Sequence, residues 1–135
     1  MQYYTTIEQS KKLLELGLNP DSADMFYNEE PDECYPKDIV DTKYPMVIRE
    51  GQKHYLKEYG VPCWSLGALW EAMPKEGVKP FTDSNPFVGY GNGLYRCVYL
   101  NADWESSHQT IGYTPVEAAY NMVCWLLKNG YLTKE

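Results

Sequence analysis

The segment spanning residues 114–130 constrains the fold of this chain more than any other part of its sequence. Thr114 is a typical helix N-cap, Pro115 suits the first helical position, and Glu117 completes a capping box. Gly130, preceded by asparagine, is typical of the residue that ends a helix. The pattern therefore predicts a closing helix with well-defined ends.

The closing helix is apolar around most of its circumference. At 100° per residue, the polar residues Asn121 and Lys128 lie within about 40° of Glu117, and apolar residues or alanine fill most of the rest. One sheet covers only one side of such a helix. We therefore expect a β layer on one side and either the N-terminal helix or a partner chain on the other, which leaves a homodimer open.

The residues before this helix predict an αβββα core over 65–132. Ser65 begins a helix whose apolar residues have helical spacing and which Pro74 ends. After Pro74 the apolar residues alternate with a period of two, as in β-strands. The predicted strands 87–90 and 94–100 flank Gly-Asn-Gly, which is a strong hairpin signal. A third predicted strand, 104–110, is polar and suits the edge of a sheet. Both helices should pack on one face of this three-stranded antiparallel sheet.

The N-terminal half has one well-marked helix, over 5–18. Its cap is Thr5 with Glu8 or, in the alternative register, Thr6 with Gln9. Gly17 is placed where a left-handed residue ends a helix. We expect an acidic loop region over 21–45, because Pro31, Pro36 and Pro45 interrupt any regular pattern over 28–45.

The residues between this loop and the core carry a weaker pattern. Met46, Val47 and Ile48 favour a short strand, and 50–60 forms either a returning strand or a short helix that ends at Gly60. At 135 residues, the chain is expected to form a single α+β domain.

The net charge of −7 is concentrated in one stretch. Residues 21–41 contain eight acids and one base, so the rest of the chain is neutral. A segment of this kind can solvate the protein, bind a partner or imitate the phosphate spacing of nucleic acid. The candidate partner-binding acids are Glu29, Glu30, Asp32 and Glu33.

Three aromatic residues form a second candidate surface. Tyr95, Tyr99 and Trp104 occur at strand spacing and can stack on a ligand or pack across strands. Arg96 is the one base among them, so direct binding of nucleic acid is not expected.

The cysteines and histidines carry no recognisable catalytic or metal motif. Cys34, Cys63, Cys97 and Cys124 are widely spaced, which favours free thiols in a reducing cytoplasm. The acidic stretch lacks the glycine and the terminal glutamate of a calcium loop. We expect no catalytic residue, metal or cofactor, and neither a signal peptide nor a membrane span.

Two resemblances carry expectations of their own. The segment Gly112-Tyr113-Thr114-Pro115-Val116-Glu117-Ala118-Ala119 resembles the strand-to-helix signature of HicB-type antitoxins, whose element order is that of double-stranded-RNA-binding domains. Where those RNA-binding domains carry a basic cluster, this chain has Pro115, Val116 and Glu117. The resemblance therefore implies the fold without the RNA-binding function.

The second resemblance covers more of the chain. Residues 62–69 and 114–127 resemble small, uncharacterised proteins of gut-bacterial prophages and mobile elements. This resemblance implies a mobile-element origin and a cytoplasmic location, and it implies no activity.

These features predict a small non-enzymatic protein that binds another protein, through the acidic segment or through the outer face of the sheet. Two alternatives stay open. One is an antitoxin-like or nucleic-acid-mimicking acidic regulator, and the other is a small hydrolase that uses cysteine and histidine.

Overall fold

The computed structural model describes residues 1–28, 44–47, 60–76, 84–100 and 107–132. These residues form three α-helices, one short 3₁₀ turn and two three-stranded antiparallel sheets. The elements in chain order are α1 (Ile7–Leu16), the 3₁₀ turn (Pro20–Ser22), β1 (Met25–Asn28), β2 (Met46–Val47), β3 (Gly60–Cys63), α2 (Leu66–Ala72), β4 (Phe87–Gly91), β5 (Leu94–Leu100), β6 (Ser107–Gly112) and α3 (Pro115–Lys128). The predicted α+β class is confirmed.

Helix α3 is covered on both sides, as its sequence requires. It packs on β5 and β6 on one side and on α1 and α2 on the other. The residues that it buries are Val116, Ala118, Ala119, Met122, Val123, Cys124, Leu126 and Leu127. Because elements of the same chain cover this helix, its apolar circumference no longer gives a reason to expect a dimer.

The core sheet has the order β4-β5-β6, with β5 in the centre. Its hairpin turns at Asn92 and Gly93, whose φ angles of 54° and 79° are both left-handed, as a tight two-residue hairpin turn requires. Tyr95, Cys97 and Tyr99 lie on the face that the helices cover, and Cys97 and Tyr99 are fully buried there. The predicted hairpin and its central strand are therefore confirmed.

The strand β6 passes directly into α3 through a close approach at Gly112. A Cβ atom on this glycine would lie 2.6 Å from the backbone nitrogen of Ala118 and 2.8 Å from the Cβ of Glu117. The Thr114 hydroxyl accepts from the Glu117 amide, and the Glu117 carboxylate accepts from the amide of Tyr113, one residue before the cap. The helix start is thus fixed by side-chain caps on one side and by a glycine contact on the other.

The N-terminal helix is capped by the second of the two predicted registers. Thr6 accepts from the amide of Gln9 at 3.1 Å, and the Gln9 side chain accepts from the amide of Thr6. Thr5, the other candidate, is fully buried. Its hydroxyl contacts that of Ser10 at 2.8 Å and accepts from the amide of Trp64, so it joins α1 to the residue after β3.

A second sheet has the order β2-β1-β3. It packs against α1 through Tyr27, Val61 and Cys63. Strand β1 falls within 21–45, where the sequence predicted loop, so that prediction is wrong for these four residues. The sequence also did not predict β3, because its partner β1 precedes it by more than 30 residues and no local pattern links the two.

The short strand predicted from Met46 is present as β2, paired with β1. The predictions for 29–43, for 48–59 and for the first residues of the strand expected over 104–110 lie outside the described residues.

Candidate functional site

The face of the core sheet opposite the helices carries apolar side chains at its surface. Strand pairing places Phe87 opposite Val98, and Arg96 between Gly89 and Ile111. Phe87 is 47% exposed and Ile111 is 48% exposed, whereas Val98 on the central strand is buried at 8%. We call this surface, formed by Phe87, Leu94, Arg96, Val98, Gln109 and Ile111, the outer sheet face.

Arg96 lies at the centre of the outer sheet face, on the middle strand. Its side chain is partly buried, and no carboxylate among the described residues forms an ion pair with it. The two residues beside it across the strands, Gly89 and Ile111, are uncharged. An arginine in such surroundings presents a fork of N–H donors that suits a carboxylate.

Phe87 and Ile111 were not among the candidates from the sequence, although a signal for Phe87 exists. A two-residue hairpin at Asn92-Gly93 fixes the register of both strands, and that register places Phe87 opposite Val98. Because side chains alternate between faces, the residues that share a face with Arg96 follow from this register alone.

Of the three aromatic candidates Tyr95, Tyr99 and Trp104, the structure describes the first two and places both on the helix-covered face. Tyr99 is fully buried and donates its hydroxyl to the carbonyl of Pro74 at 2.7 Å, so its ring belongs to the core and cannot stack on a ligand. Tyr95 is half-buried on the same helix-covered face, with its ring centre 4.9 Å from that of Tyr90. Trp104 lies outside the described residues.

The four acidic candidates, Glu29, Glu30, Asp32 and Glu33, also lie outside the described residues. The same holds for His54 and Cys34. Across the ranges that the structure describes, no group of three or more metal-ligating side chains comes together.

The described cysteines have the properties of core residues. Burial raises the pKa of the Cys63 thiol to about 11 and that of Cys97 to about 12, and it also raises the pKa of Cys124. Cys63 contacts Thr5 and Cys97 contacts the sulfur of Met73, and neither thiol bonds to a histidine of the described ranges. A nucleophilic cysteine needs a lowered pKa and access to substrate, and these thiols have neither.

None of the helices in the described ranges is long and apolar enough to cross a bilayer. In comparisons with known proteins, the chain matches no protein-family model, no curated protein and no solved structure.

Proposed function

We propose that this protein is a small non-enzymatic interaction module that binds another protein through the outer sheet face. The observation that carries the proposal is a pair of half-exposed side chains near Arg96: Ile111, which lies directly opposite Arg96, and Phe87, which lies opposite Val98, two residues along the same strand. Surface apolar groups gathered around an arginine are typical of interface centres, where arginine and aromatic residues are enriched. The resemblance to prophage-encoded proteins fits this role, and we include a mobile-element origin in the proposal.

The charge of the outer sheet face indicates what the partner carries. A guanidinium group that becomes buried in an interface without a counter-charge strongly destabilises the complex. We therefore expect an apolar partner surface with an aspartate or glutamate opposite Arg96. A second copy stacked symmetrically over the same centre would bring two Arg96 side chains together, so like-charge repulsion opposes it.

Site-specific photo-crosslinking in cells tests this proposal. A benzoylphenylalanine at position 87 or 111 reaches outward from the outer sheet face, whereas the same residue at Lys128 projects from the exposed end of α3. We expect positions 87 and 111 to crosslink the same protein, at a site next to an acidic residue, and position 128 not to crosslink it.

The affinity of the purified partner then tests the role of the charge. We expect Arg96→Glu to weaken binding by roughly 30-fold or more, because loss of one partner of a buried charge pair costs about 2–5 kcal/mol. Lys128→Glu makes the same change of charge elsewhere and should alter the affinity by less than about two-fold. A crosslink to a second copy of this chain, or equal crosslinking from position 128, would contradict the proposal.

The acidic segment provides a competing docking element, and one further variant separates it from the outer sheet face. Replacing Glu29, Glu30, Asp32 and Glu33 by glutamine or serine removes the four candidate acids. If the outer sheet face is the docking surface, this variant retains the partner that Arg96→Glu loses. If the quadruple variant loses the partner and Arg96→Glu retains it, the docking surface is the acidic segment.

A further inference from the structure

A groove of about 870 Å³ lies between α2 and the first residues of β4. One wall is formed by α2, and the groove extends to Ser22 and Asp24. Near β4, Trp70 donates its indole N–H to the carbonyl of Pro86 at 2.8 Å, which ties α2 to the residue before the strand. The groove is therefore held by a hydrogen bond between its own lining residues.

Strand β4 borders this groove at the edge of the core sheet. Within the described ranges it pairs with β5 and with no other strand. Natural edge strands are commonly protected by lysine, proline or inward-facing charges. The β4 sequence Phe-Val-Gly-Tyr-Gly contains none of these. An extended peptide in the groove can therefore continue the sheet through main-chain hydrogen bonds.

The opposite wall allows a peptide backbone to approach closely. Gly67 is exposed, and a Cβ atom placed on it would meet nothing nearer than the Ser65 hydroxyl at 3.8 Å. The glycine is thus not required by packing within the described part of the protein. Its effect is to leave space in the groove beside Ala68 and Leu66.

The charged residues that line the groove are both acidic, and the ammonium group of Lys75 lies outside the lining, 4.1 Å from the ring centre of Trp70. Asp24 and Glu71 are both exposed at its lining, and none of the other lining residues is charged. Asp24 accepts from the amide and the hydroxyl of Ser65, which holds its carboxylate in place and leaves further lone pairs for a ligand. This arrangement complements a lysine or arginine side chain.

We propose that the groove binds an extended, basic peptide segment of another protein, which adds to the sheet beside β4. Main-chain bonds to β4 hold the segment, and alternate basic side chains meet Asp24 and Glu71. The groove and the outer sheet face share Phe87, but the groove is otherwise lined by different residues, and α2 forms one of its walls.

Fluorescence anisotropy with three labelled heptapeptides tests the proposal on the full chain. The first peptide alternates valine and arginine, the second alternates valine and glutamate, and the third is the arginine peptide with alternate backbone amides methylated. We expect saturable binding of the first alone. Equal binding of the glutamate peptide would overturn the charge complementarity, and binding of the methylated peptide would overturn strand addition.

Matched variants locate the binding. Gly67→Leu fills the groove and should weaken binding by about ten-fold or more through steric exclusion, with a thermal midpoint at or above that of the parent. Lys128→Leu adds the same side chain away from the groove and should bind as the parent does.

A second pair of variants tests whether the arginine peptide is attracted by Glu71 in particular or by the net negative charge of the whole protein. Glu71→Gln should weaken binding by roughly two- to five-fold at physiological salt, as expected for an exposed ion pair. Glu15→Gln removes one carboxylate from α1 and should have no such effect. Binding that survives Gly67→Leu but is changed by Arg96→Glu would place the peptide on the outer sheet face and end the proposal for the groove.

Discussion

The imidazole of His108 stacks face to face on the indole of Trp125, with ring centres 3.6 Å apart and planes inclined by 16°. The indole in turn packs on the ring of Tyr131, with ring centres 5.4 Å apart. These contacts join the edge strand β6 to the last turn of α3 and to the residues that follow it. His108 is therefore a packing residue of the fold, which its place on a polar edge strand did not indicate.

This stack makes the stability of the protein depend on pH. Burial lowers the pKa of His108 from its usual value of about 6.5. As the pH falls, the unfolded chain takes up a proton at this position before the folded protein does. The contribution of His108 to stability is therefore complete above about pH 6.5 and is lost as the pH falls through the range below it.

Urea midpoints of the parent and of His108→Gln, measured between pH 8 and pH 5, isolate this effect from the other titrating groups. We expect the difference between the two proteins to shrink as the pH falls below about 6.5. A difference that grows on acidification would show that attraction between imidazolium and indole outweighs the cost of desolvation.

Gly112 is expected to tolerate no larger residue. A methyl group there would lie 2.6 Å from the Ala118 backbone nitrogen. The start of α3 cannot move away from it without losing its contact with β6. We expect Gly112→Ala to lower the free energy of unfolding by about 1–3 kcal/mol, measured by urea denaturation. Gly89→Ala is the matched control in the same sheet, since, apart from its two chain neighbours, no described residue has an atom within 4 Å of the added methyl group. Similar losses in both variants would contradict the steric explanation.

The neighbouring threonines Thr5 and Thr6 should respond differently to the same change. Thr5→Val retains the shape but leaves the buried amide of Trp64 and the hydroxyl of Ser10 without their partner, which costs about 1–3 kcal/mol. Thr6→Val removes an exposed N-cap and should cost about 1 kcal/mol. Calorimetric unfolding of both variants checks the order, and a larger loss for Thr6 would show that the cap matters more than the buried network.

The buried thiols should be inert in the folded protein. Because the pKa values of Cys63 and Cys97 are raised to about 11 and about 12, very little of either is thiolate at pH 8. Peptide mass spectrometry after iodoacetamide treatment should find Cys63, Cys97 and Cys124 unmodified until the chain is unfolded by denaturant. Rapid modification of Cys63 or Cys97 in the folded protein would restore the hydrolase alternative.

The sequence predicted the elements whose signals are local. The hairpin between β4 and β5 follows from Asn92-Gly93, because two adjacent left-handed residues suit few other structures. The start of α3 follows from Thr114 and Pro115. For the candidate site, the sequence placed Arg96 on a central strand, but it did not identify Ile111 opposite Arg96 or Phe87 on the same face as exposed apolar residues.

The remaining features depend on contacts between distant residues. Thr5 and Thr6 are both good caps by sequence, and the choice between them depends on Trp64, almost 60 residues away. The sequence around Tyr99 is compatible with either an exposed or a buried ring. The ring is buried because α3 covers that face of the sheet and because the carbonyl of Pro74 accepts the hydrogen bond of its hydroxyl.

By itself, the sequence determined that an apolar helix closes the chain and that this helix needs cover on two sides, because helical periodicity and capping act within a few residues. Only the tertiary structure decided that α1 and α2 provide the second cover, that β1 and β3 form another sheet, and that a groove remains open beside β4. These outcomes depend on which distant surfaces bury each other best, and strand pairing across long loops leaves no local trace in the sequence.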